Sequence, residues 1–230
     1  MTRGEEDYIK AIFHLIEQDS YRSQSLPFVS NNRLAQQLNH TPQTVNEMVK
    51  RLEQKDLLTY TPYKGSKLTQ AGKDLAGRLT RIHRLWEAFL VQKLDYTWEE
   101  VHEEAEILEH ATSPILEERL YEFLGKPEYC PHGNLITSSL GQTNQRNVLS
   151  ILEGRPGSYY ALRKVSDDKE LLVYLNNKNI KLGDVLLVKE KDEISNLIKL
   201  ENNGQDVIIG NNIAKEIFVE ELKNNVNSKK

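Results

Sequence analysis

Residues 102–110 read His-Glu-Glu-Ala-Glu-Ile-Leu-Glu-His and carry metal-ligand side chains at helical spacing. At about 100° per residue, His102, Glu106, Glu109 and His110 fall on one side of a helix. Two carboxylates and two imidazoles on one face form a donor set for a divalent metal ion. The alternative is a solvated acidic face, because residues 95–122 carry ten acids against one base.

Two further segments favour the metal interpretation. His83 and Glu87 are four residues apart on the preceding predicted helix, and Cys130, the only cysteine, lies two residues before His132. Four of the six histidines therefore belong to these three segments, which predicts that they converge. A zinc protease is excluded, because the motif His-Glu-x-x-His needs a second histidine at position 106, where the chain has glutamate.

The composition narrows the class of protein. The chain has 230 residues, 38% hydrophobic and 28% charged, which is typical of a globular protein of one large or two small domains. It has no apolar run long enough to span a membrane, and its N-terminus lacks the apolar core of a signal peptide. One cysteine excludes an internal disulfide framework and suits a reducing compartment. We therefore expect a cytoplasmic protein without membrane contact.

The net charge of −4 conceals a strong asymmetry. Residues 40–81 hold eight bases and four acids, a local charge of +4, whereas residues 95–122 come to −9. The basic segment could therefore bind a polyanion, and the acidic segment could bind a cation.

The first third of the chain predicts a winged helix-turn-helix. Residues 5–18 form an amphipathic helix, residues 19–30 a polar loop and residues 31–39 a short helix with an asparagine cap. Thr41 and Pro42 begin a helix over 42–55, with Thr41 as the N-cap. Residues 57–69 then read as a hairpin with Gly65 at its tip. A generic helical hairpin is the alternative.

The rest of the chain predicts three helices and a β domain. A helix runs from 69 to about 94, the metal-rich helix from 98 to 111 and a third from 114 to 124. Trp98, Val101, Ile107 and Leu108 are candidate dimer contacts or, alternatively, core residues. Beyond 147, five short β-type runs and one helix over 169–177 suit a small SH3-like barrel.

The fold class is thus mainly α with a small β domain. The predicted domains are 1–72 (DNA binding), 73–124 (metal binding and dimerisation), 125–148 (linker), 149–222 (barrel) and 223–230 (tail).

The predicted order of domains is a winged helix, then an acidic helix with histidines and glutamates, then a small barrel. This order and the motifs His83-x-x-x-Glu87 and His102-x-x-Ala-Glu106-x-x-Glu109-His110 resemble the diphtheria toxin repressor family over nearly the whole chain. Its members are metal-dependent transcriptional repressors of iron or manganese homeostasis. Within it, the sequence looks most like the three-domain, manganese-responsive members.

The resemblance implies two metal sites. The first would use Asp7, His83, Glu106, Glu109 and His110. The second would use Glu87, Cys130, His132 and an acid of the barrel, Asp167 or its neighbour Asp168, with His102 as an outside candidate.

One departure concerns Lys10. The family's two-domain manganese sensors carry a glutamate at the position that matches Lys10, so a closely spaced two-metal cluster of their kind is not expected here. Where the iron-type repressors place methionine and cysteine, this chain has Asp7 and Glu106. Such hard oxygen donors suit Mn²⁺, although Fe²⁺ can also bind, and Cys130 makes the second site accessible to Zn²⁺ or Cd²⁺ in vitro.

The resemblance implies a repressor that binds palindromic operator DNA as a homodimer when a divalent metal corepressor is bound, and so controls metal-uptake genes. Without metal, Asp7, Glu106 and Glu109 would repel one another and leave the first helix mobile. The helix from Pro42 should enter the major groove. The expected DNA contacts are Thr41, Gln43, Thr44 and Asn46 near bases or phosphates, and Lys50, Lys64 and Lys67 on phosphates.

Two other functions remain open from the residues alone. The first is a metal-independent winged-helix regulator whose acidic face only aids solubility. The second is a metalloenzyme that uses the carboxylate-rich helix, but the sequence has no obvious constellation of a nucleophile and a general base beyond these ligands, and the basic winged domain would be unexplained.

Overall fold

The computed structural model describes residues 1–21, 28–136 and 148–222. The chain divides into two compact units. The first comprises Met1–Trp86, Glu106–Lys126 and Ile136–Thr143, and the second comprises Glu87–Ala105, Pro127–Leu135 and Asn144–Lys230. The predicted tail and residues 137–147 of the predicted linker lie outside the described residues. The predicted fold class, mainly helical with a small β domain, is confirmed.

The first unit begins with the predicted winged helix. Its helices are α1 (Arg3–Tyr21), α2 (Asn31–Leu38) and α3 (Pro42–Gln54), followed by the hairpin β1 (Leu58–Thr61) and β2 (Gly65–Leu68). α3 starts as predicted, because the Thr41 hydroxyl accepts a hydrogen bond from the Thr44 N–H at 3.2 Å and Pro42 is the first helical residue. The apolar faces of the three helices close one core, which includes Ile9, Ile12, Leu34, Val45, Val49 and Leu52.

Two boundaries differ from the sequence prediction. α1 continues to Tyr21 instead of ending before Asp19, because the Asp19 carboxylate receives both Arg33 guanidinium nitrogens at 2.5 and 2.8 Å. Residues 22–27 of the predicted loop lie outside the described part. α2 is capped by Ser30 and not by an asparagine, since the Ser30 hydroxyl accepts from the Arg33 N–H at 3.3 Å.

Three further helices follow, and the first two of them carry four of the nine predicted ligands. The three helices are α4 (Gln70–Leu94), α5 (Val101–Glu109) and α6 (Pro114–Phe123). α5 starts three residues later than predicted, because Thr97 and Glu100 form a capped turn in which the Thr97 hydroxyl donates to Glu100 Oε2 at 2.7 Å. Of the candidate dimer contacts, Val101 is a buried core residue, whereas Ile107 is 55% exposed.

The second unit contains an antiparallel sheet of six strands in the order β3-β8-β4-β5-β6-β7. The strands are β3 (Leu149–Ser150), β4 (Tyr159–Val165), β5 (Val185–Asp192), β6 (Leu197–Asn202), β7 (Gln205–Gly210) and β8 (Ile217–Glu221). α7 (Lys169–Asn177) covers their core, as predicted. The sequence prediction missed β3, the 3-10 turn Ile151–Glu153 and the one-turn helix α8 (Asn211–Ala214), which are too short to show periodicity.

None of the helices in the described part of the chain is long and apolar enough to cross a membrane.

Candidate metal centres

The first cluster of donors lies between α1, α4 and α5 of the first unit. His83 Nδ1 is 2.7 Å from Glu109 Oε2 and 3.6 Å from Glu106 Oε2. His110 follows α5 directly, and its Nε2 is 2.9 Å from Asp7 Oδ1 and 3.6 Å from Glu109 Oε1. All five residues of the predicted first site are therefore brought together. The Glu109 side chain is fully buried, and that of Asp7 is 31% exposed.

The contact between His110 and Asp7 has the property expected of a metal site. His110 Nδ1 is 2.6 Å from Glu6 Oε2, so the ring donates its Nδ1 proton to that carboxylate. The other nitrogen, Nε2, faces Asp7 Oδ1 at 2.9 Å, and both are buried atoms that form no hydrogen bond with any described residue. Such a buried imidazole nitrogen beside a carboxylate oxygen is a donor pair that a metal ion can bind, with Glu6 orienting the ring. Burial raises the pKa of Asp7, as expected for a carboxylate without enough donors.

Lys10 lies in the same cluster. Its Nζ donates to both carboxylate oxygens of Glu109 at 2.8 Å and also pairs with Glu106. Burial alone would lower the pKa of Lys10, but the carboxylates of Glu109 and Glu106 outweigh it and raise the pKa. The expected repulsion among the acids in the metal-free protein is therefore reduced at Glu106 and Glu109, because Lys10 offsets one of their two charges.

The second cluster is built on a tight turn of the second unit. The Cys130 N–H donates to the Asn134 carbonyl and the Gly133 N–H to the Cys130 carbonyl, both at 2.9 Å. Gly133 has φ +81°, and a Cβ there would lie 2.0 Å from the Arg163 carbonyl oxygen of β4. The Val165 N–H donates to the His132 carbonyl at 3.1 Å. The turn is thus pressed against β4, where it brings Cys130 and His132 near the residues that follow that strand.

Donors of Cys130 and His132 on this turn and of Glu87 on α4 lie within 4.8 Å of one another, and all three residues are buried. His132 Nε2 donates to the Trp98 carbonyl at 2.7 Å. Its Nδ1 faces Glu87 Oε1 at 3.2 Å and Asp167 Oδ1 at 3.7 Å. His132 Nδ1 and Asp167 Oδ1 are again buried atoms with no hydrogen-bond partner. The four predicted residues of the second site therefore converge.

The charges of this cluster shift two pKa values. Burial alone would lower the pKa of His132, but Glu87 and Asp167 raise it well above its usual value. Burial and Glu87 would raise the pKa of Asp167, but the imidazoles of His132 and His102 lower it. A proton on His132 thus supplies the positive charge that the buried carboxylates require.

The two alternative ligands for this cluster differ in their contacts. Asp168 caps α7, since its Oδ1 accepts from the Leu171 N–H at 2.9 Å. His102 Nδ1 lies 3.1 Å from Asp167 Oδ2, the carboxylate oxygen that does not face His132. Because its donor atom also lies within 4.8 Å of donors of Glu87 and Asp167, His102 stays an outside candidate for the second site.

Sequence reasoning missed Glu6 and the Trp98 carbonyl, which fix the two histidine rings. No sequence pattern indicates either one, because the contacts join residues 104 and 34 positions apart.

The expected DNA-contact residues lie along α3, from its N-cap Thr41 to Lys50, and on the β1–β2 hairpin. Gln43 Nε2 donates to Glu47 Oε1 at 3.3 Å, and the Thr41 hydroxyl is used as the helix cap. Asn46 is half-buried. The other six predicted residues are exposed, and they are Thr41, Gln43, Thr44, Lys50, Lys64 and Lys67. They form a surface that is accessible within the unit.

A winged helix, helices rich in metal donors and a small β domain together define the class of metal-dependent transcriptional repressors. Family models match in that order: the iron-dependent repressor N-terminal DNA-binding domain at residues 1–66, the iron-dependent repressor metal-binding and dimerisation domain at 69–138, and the FeoA domain at 150–221. The chain belongs to the diphtheria toxin repressor family of iron- and manganese-dependent repressors.

Among curated relatives, the iron-dependent repressor IdeR of Mycobacterium leprae is 28% identical over 203 residues, which cover 83% of this chain and 88% of the relative. A solved manganese-dependent transcriptional repressor in complex with manganese is 32% identical, with a TM-score of 0.84 over 95% of this chain and 100% of that one. The manganese regulator SloR is 36% identical, with a TM-score of 0.78 over 96% of this chain and 100% of that one. The repressor ScaR, solved with Zn²⁺ and with Cd²⁺, is 35% identical, with a TM-score of 0.80 over 95% of this chain and 99% of that one.

Proposed function

We propose that this protein represses transcription in response to Mn²⁺, and that the ion binds at the first cluster. The observation that carries the proposal is the pair of buried donor atoms without hydrogen bonds in the described part of the chain, Asp7 Oδ1 and His110 Nε2, which face each other at 2.9 Å. A divalent ion would use both atoms as ligands. The ligands would be Asp7, His83, Glu106, Glu109 and His110.

The donor set favours manganese. Three of the five proposed ligands are carboxylates and none contains sulfur, and hard oxygen donors suit Mn²⁺. Manganese regulators of the same fold support this choice. The second site, Glu87, Cys130, His132 and Asp167, contains one thiolate and would therefore also accept Zn²⁺ or Cd²⁺, the ions bound to ScaR. Fe²⁺ is the second candidate for the first site, given the iron-dependent relatives.

Helix α1 is the element that would transmit metal binding to the DNA-binding surface. It carries Asp7 at the first cluster and also contacts both ends of α3. The Glu5 carboxylate, which is buried, accepts from Lys55 Nζ at 2.7 and 2.8 Å just after α3 ends. The Tyr8 hydroxyl lies 2.7 Å from His40 Nδ1 just before α3 begins. An ion that fixes Asp7 therefore also fixes the orientation of α3, and such couplings are typically worth about 1–3 kcal/mol.

On the DNA side, we propose that α3 enters the major groove and reads bases through Gln43, Thr44 and Asn46. Lys50, Lys64 and Lys67 would neutralise phosphates, and the Thr41 cap would present α3's N-terminus to the backbone. A dimer with two-fold symmetry requires a palindromic operator, and metal-uptake genes are the expected targets.

We propose that the chain acts in the cytoplasm, has no enzymatic activity, and divides at about residues 72, 124 and 148 into DNA-binding, helical, linker and β parts. Membership of a family of transcriptional repressors supports the first two statements. The three matched domains support the division.

The function can be tested without knowledge of the operator. Random double-stranded DNA is selected on the full-length protein in Mn²⁺, and the enriched duplex is titrated by fluorescence anisotropy in Mn²⁺ and in chelator. We expect a palindromic duplex and tight binding only with Mn²⁺. Equal affinity in Mn²⁺ and chelator would show a metal-independent regulator, and failure to enrich any sequence would contradict the repressor function.

A further inference from the structure

The tip of the β1–β2 hairpin contains an unusual residue. The Lys64 N–H donates to the Thr61 carbonyl at 3.1 Å and closes a turn with Pro62 second and Tyr63 third. Tyr63 has φ +66°. A turn with proline second and positive φ at the third position is of type II, and that third position strongly favours glycine.

Tyr63 differs from the other residues in this conformation. Among the described residues, eight non-glycine positions have positive φ. Six of them are asparagine or aspartate, whose short polar side chains tolerate the left-handed region, and Lys126 is the seventh. Tyr63 is the aromatic member of this set, so the chain keeps a bulky ring where the backbone disfavours it.

No packing within the described residues compensates for this strain. The Tyr63 side chain has a relative accessibility of 106%, higher than that of a reference exposed residue. Its neighbours on the hairpin do pack: Lys64 and Lys67 each place Nζ 5.9 Å from the centre of the Phe28 ring. A strained residue that points into solvent is expected where function, and not folding, selects the side chain.

The hairpin is held firmly beside α3. The Tyr60 N–H donates to Glu53 Oε1 of α3 at 2.8 Å. Val29 and Ser66 exchange two backbone hydrogen bonds of 2.8 Å, and a Cβ at Gly65 would lie 2.2 Å from the Val29 carbonyl oxygen. Tyr63 is therefore displayed at a fixed position relative to the proposed recognition helix, directly before Lys64 in the chain.

We propose that Tyr63 contacts operator DNA, with its ring against a deoxyribose and its hydroxyl donating to a phosphate oxygen next to the groove that α3 enters. The inference rests on the proposed DNA-binding role of α3. An amphipathic ring with a polar end fits the sugar-phosphate backbone, where many protein–DNA hydrogen bonds are made. Because tyrosine is uncharged, its contact adds affinity without releasing counterions, unlike the contacts of Lys64 and Lys67.

The test compares Tyr63→Gly, Tyr63→Phe and Lys64→Ala in the full-length protein, by anisotropy on the selected duplex in Mn²⁺ over a series of salt concentrations. We expect Tyr63→Gly to weaken binding about tenfold or more, as for loss of a hydrogen bond to a charged group, with an unchanged salt slope. Tyr63→Phe should lose part of this affinity. Lys64→Ala should reduce the salt slope by about one. The thermal midpoint of Tyr63→Gly should equal or exceed that of the wild type.

Three outcomes would overturn the proposal. If Tyr63→Gly binds as the wild type does while Lys64→Ala changes the salt slope, the hairpin lies on DNA but Tyr63 makes no contact. If Gln43→Ala weakens binding and neither hairpin variant does, the hairpin itself is not on DNA. If Tyr63→Gly lowers the thermal midpoint and Tyr63→Phe restores both stability and affinity, the ring is structural. Loss of all DNA binding by the wild type would instead reject the proposed function.

Discussion

Lys10 Nζ lies 2.8 Å from each carboxylate oxygen of Glu109, a residue whose side chain has no exposed surface. The first cluster thus contains a cation of its own before any metal binds. Asp7 Oδ1 and His110 Nε2, on the other side of the cluster, are buried and form no hydrogen bond among the residues that the structure describes. We infer that a metal ion meets an already ordered half-site at Glu106 and Glu109 and completes the half at Asp7 and His110.

Replacing Lys10 should separate stability from metal affinity. Lys10→Met leaves Glu109 buried without its positive partner, so the free energy of unfolding of the metal-free protein should fall by about 3 kcal/mol. The same change removes a competing charge, so Mn²⁺ should bind more tightly. Urea unfolding in chelator and calorimetric Mn²⁺ titration measure the two effects. Lys126→Met is the control, because its pair with Glu122 is exposed and should contribute little to stability. Unchanged stability and weaker Mn²⁺ binding would contradict this role of Lys10.

Glu6 should affect the Mn²⁺ affinity of the first cluster through its contact with His110. Glu6→Gln replaces the acceptor of the His110 Nδ1 proton with a weaker one that can also rotate its amide toward the ring. Because such partners fix the ring and raise the basicity of the ligating nitrogen, Mn²⁺ affinity should fall about 10- to 100-fold. Glu122→Gln on exposed α6 is the matched control and should have no effect. An equal affinity of Glu6→Gln and wild type would remove Glu6 from the site.

Cys130→Ala tests the second site. We expect metal analysis of the purified protein after saturation to fall from two ions per chain to one, because the remaining donors no longer enclose the ion. The loss should be larger for Zn²⁺ and Cd²⁺ than for Mn²⁺, since the removed ligand is a thiolate. A stoichiometry of two in the variant would place the second ion elsewhere.

The raised pKa of His132 predicts how metal binding depends on pH. In the metal-free protein the pKa of His132 is higher in the folded state than in the unfolded state. Protonation of His132 therefore stabilises the fold fully below the usual histidine pKa. This stabilisation is lost as the pH rises through the folded-state pKa. A metal needs the unprotonated Nδ1, so binding should release about one proton, and affinity at the second site should rise with pH. Calorimetry near pH 7 in buffers of different ionisation enthalpy measures this proton. A binding enthalpy that does not depend on the buffer would contradict it.

The elements that the sequence predicted best are those with local signals. Thr41 and Pro42 mark the start of α3 because a cap and a fixed φ act within one turn, and the apolar periodicity of α4 extends to Leu94 as predicted. The candidate ligands on α4 and α5 could be proposed because residue type and spacing on a helix are visible in the sequence, whereas Asp7 and Asp167 were proposed only from the family resemblance. The sequence showed that Lys10 departs from the family. Its pairing with Glu109 depends on the packing of α1 against α5, because the two residues are 99 positions apart in the chain. The same holds for Glu6 and His110, whose contact requires the tertiary structure.

The central claim is that an ion held by Asp7 on α1 switches on DNA binding, and one titration tests it most directly. The selected duplex is titrated by anisotropy with wild type, Asp7→Ala and the exposed control Asp74→Ala, each in Mn²⁺ and in chelator. The account predicts that Mn²⁺ raises the affinity of wild type and Asp74→Ala by about 5- to 150-fold and that Asp7→Ala has lost this response. A full Mn²⁺ response in Asp7→Ala would contradict it.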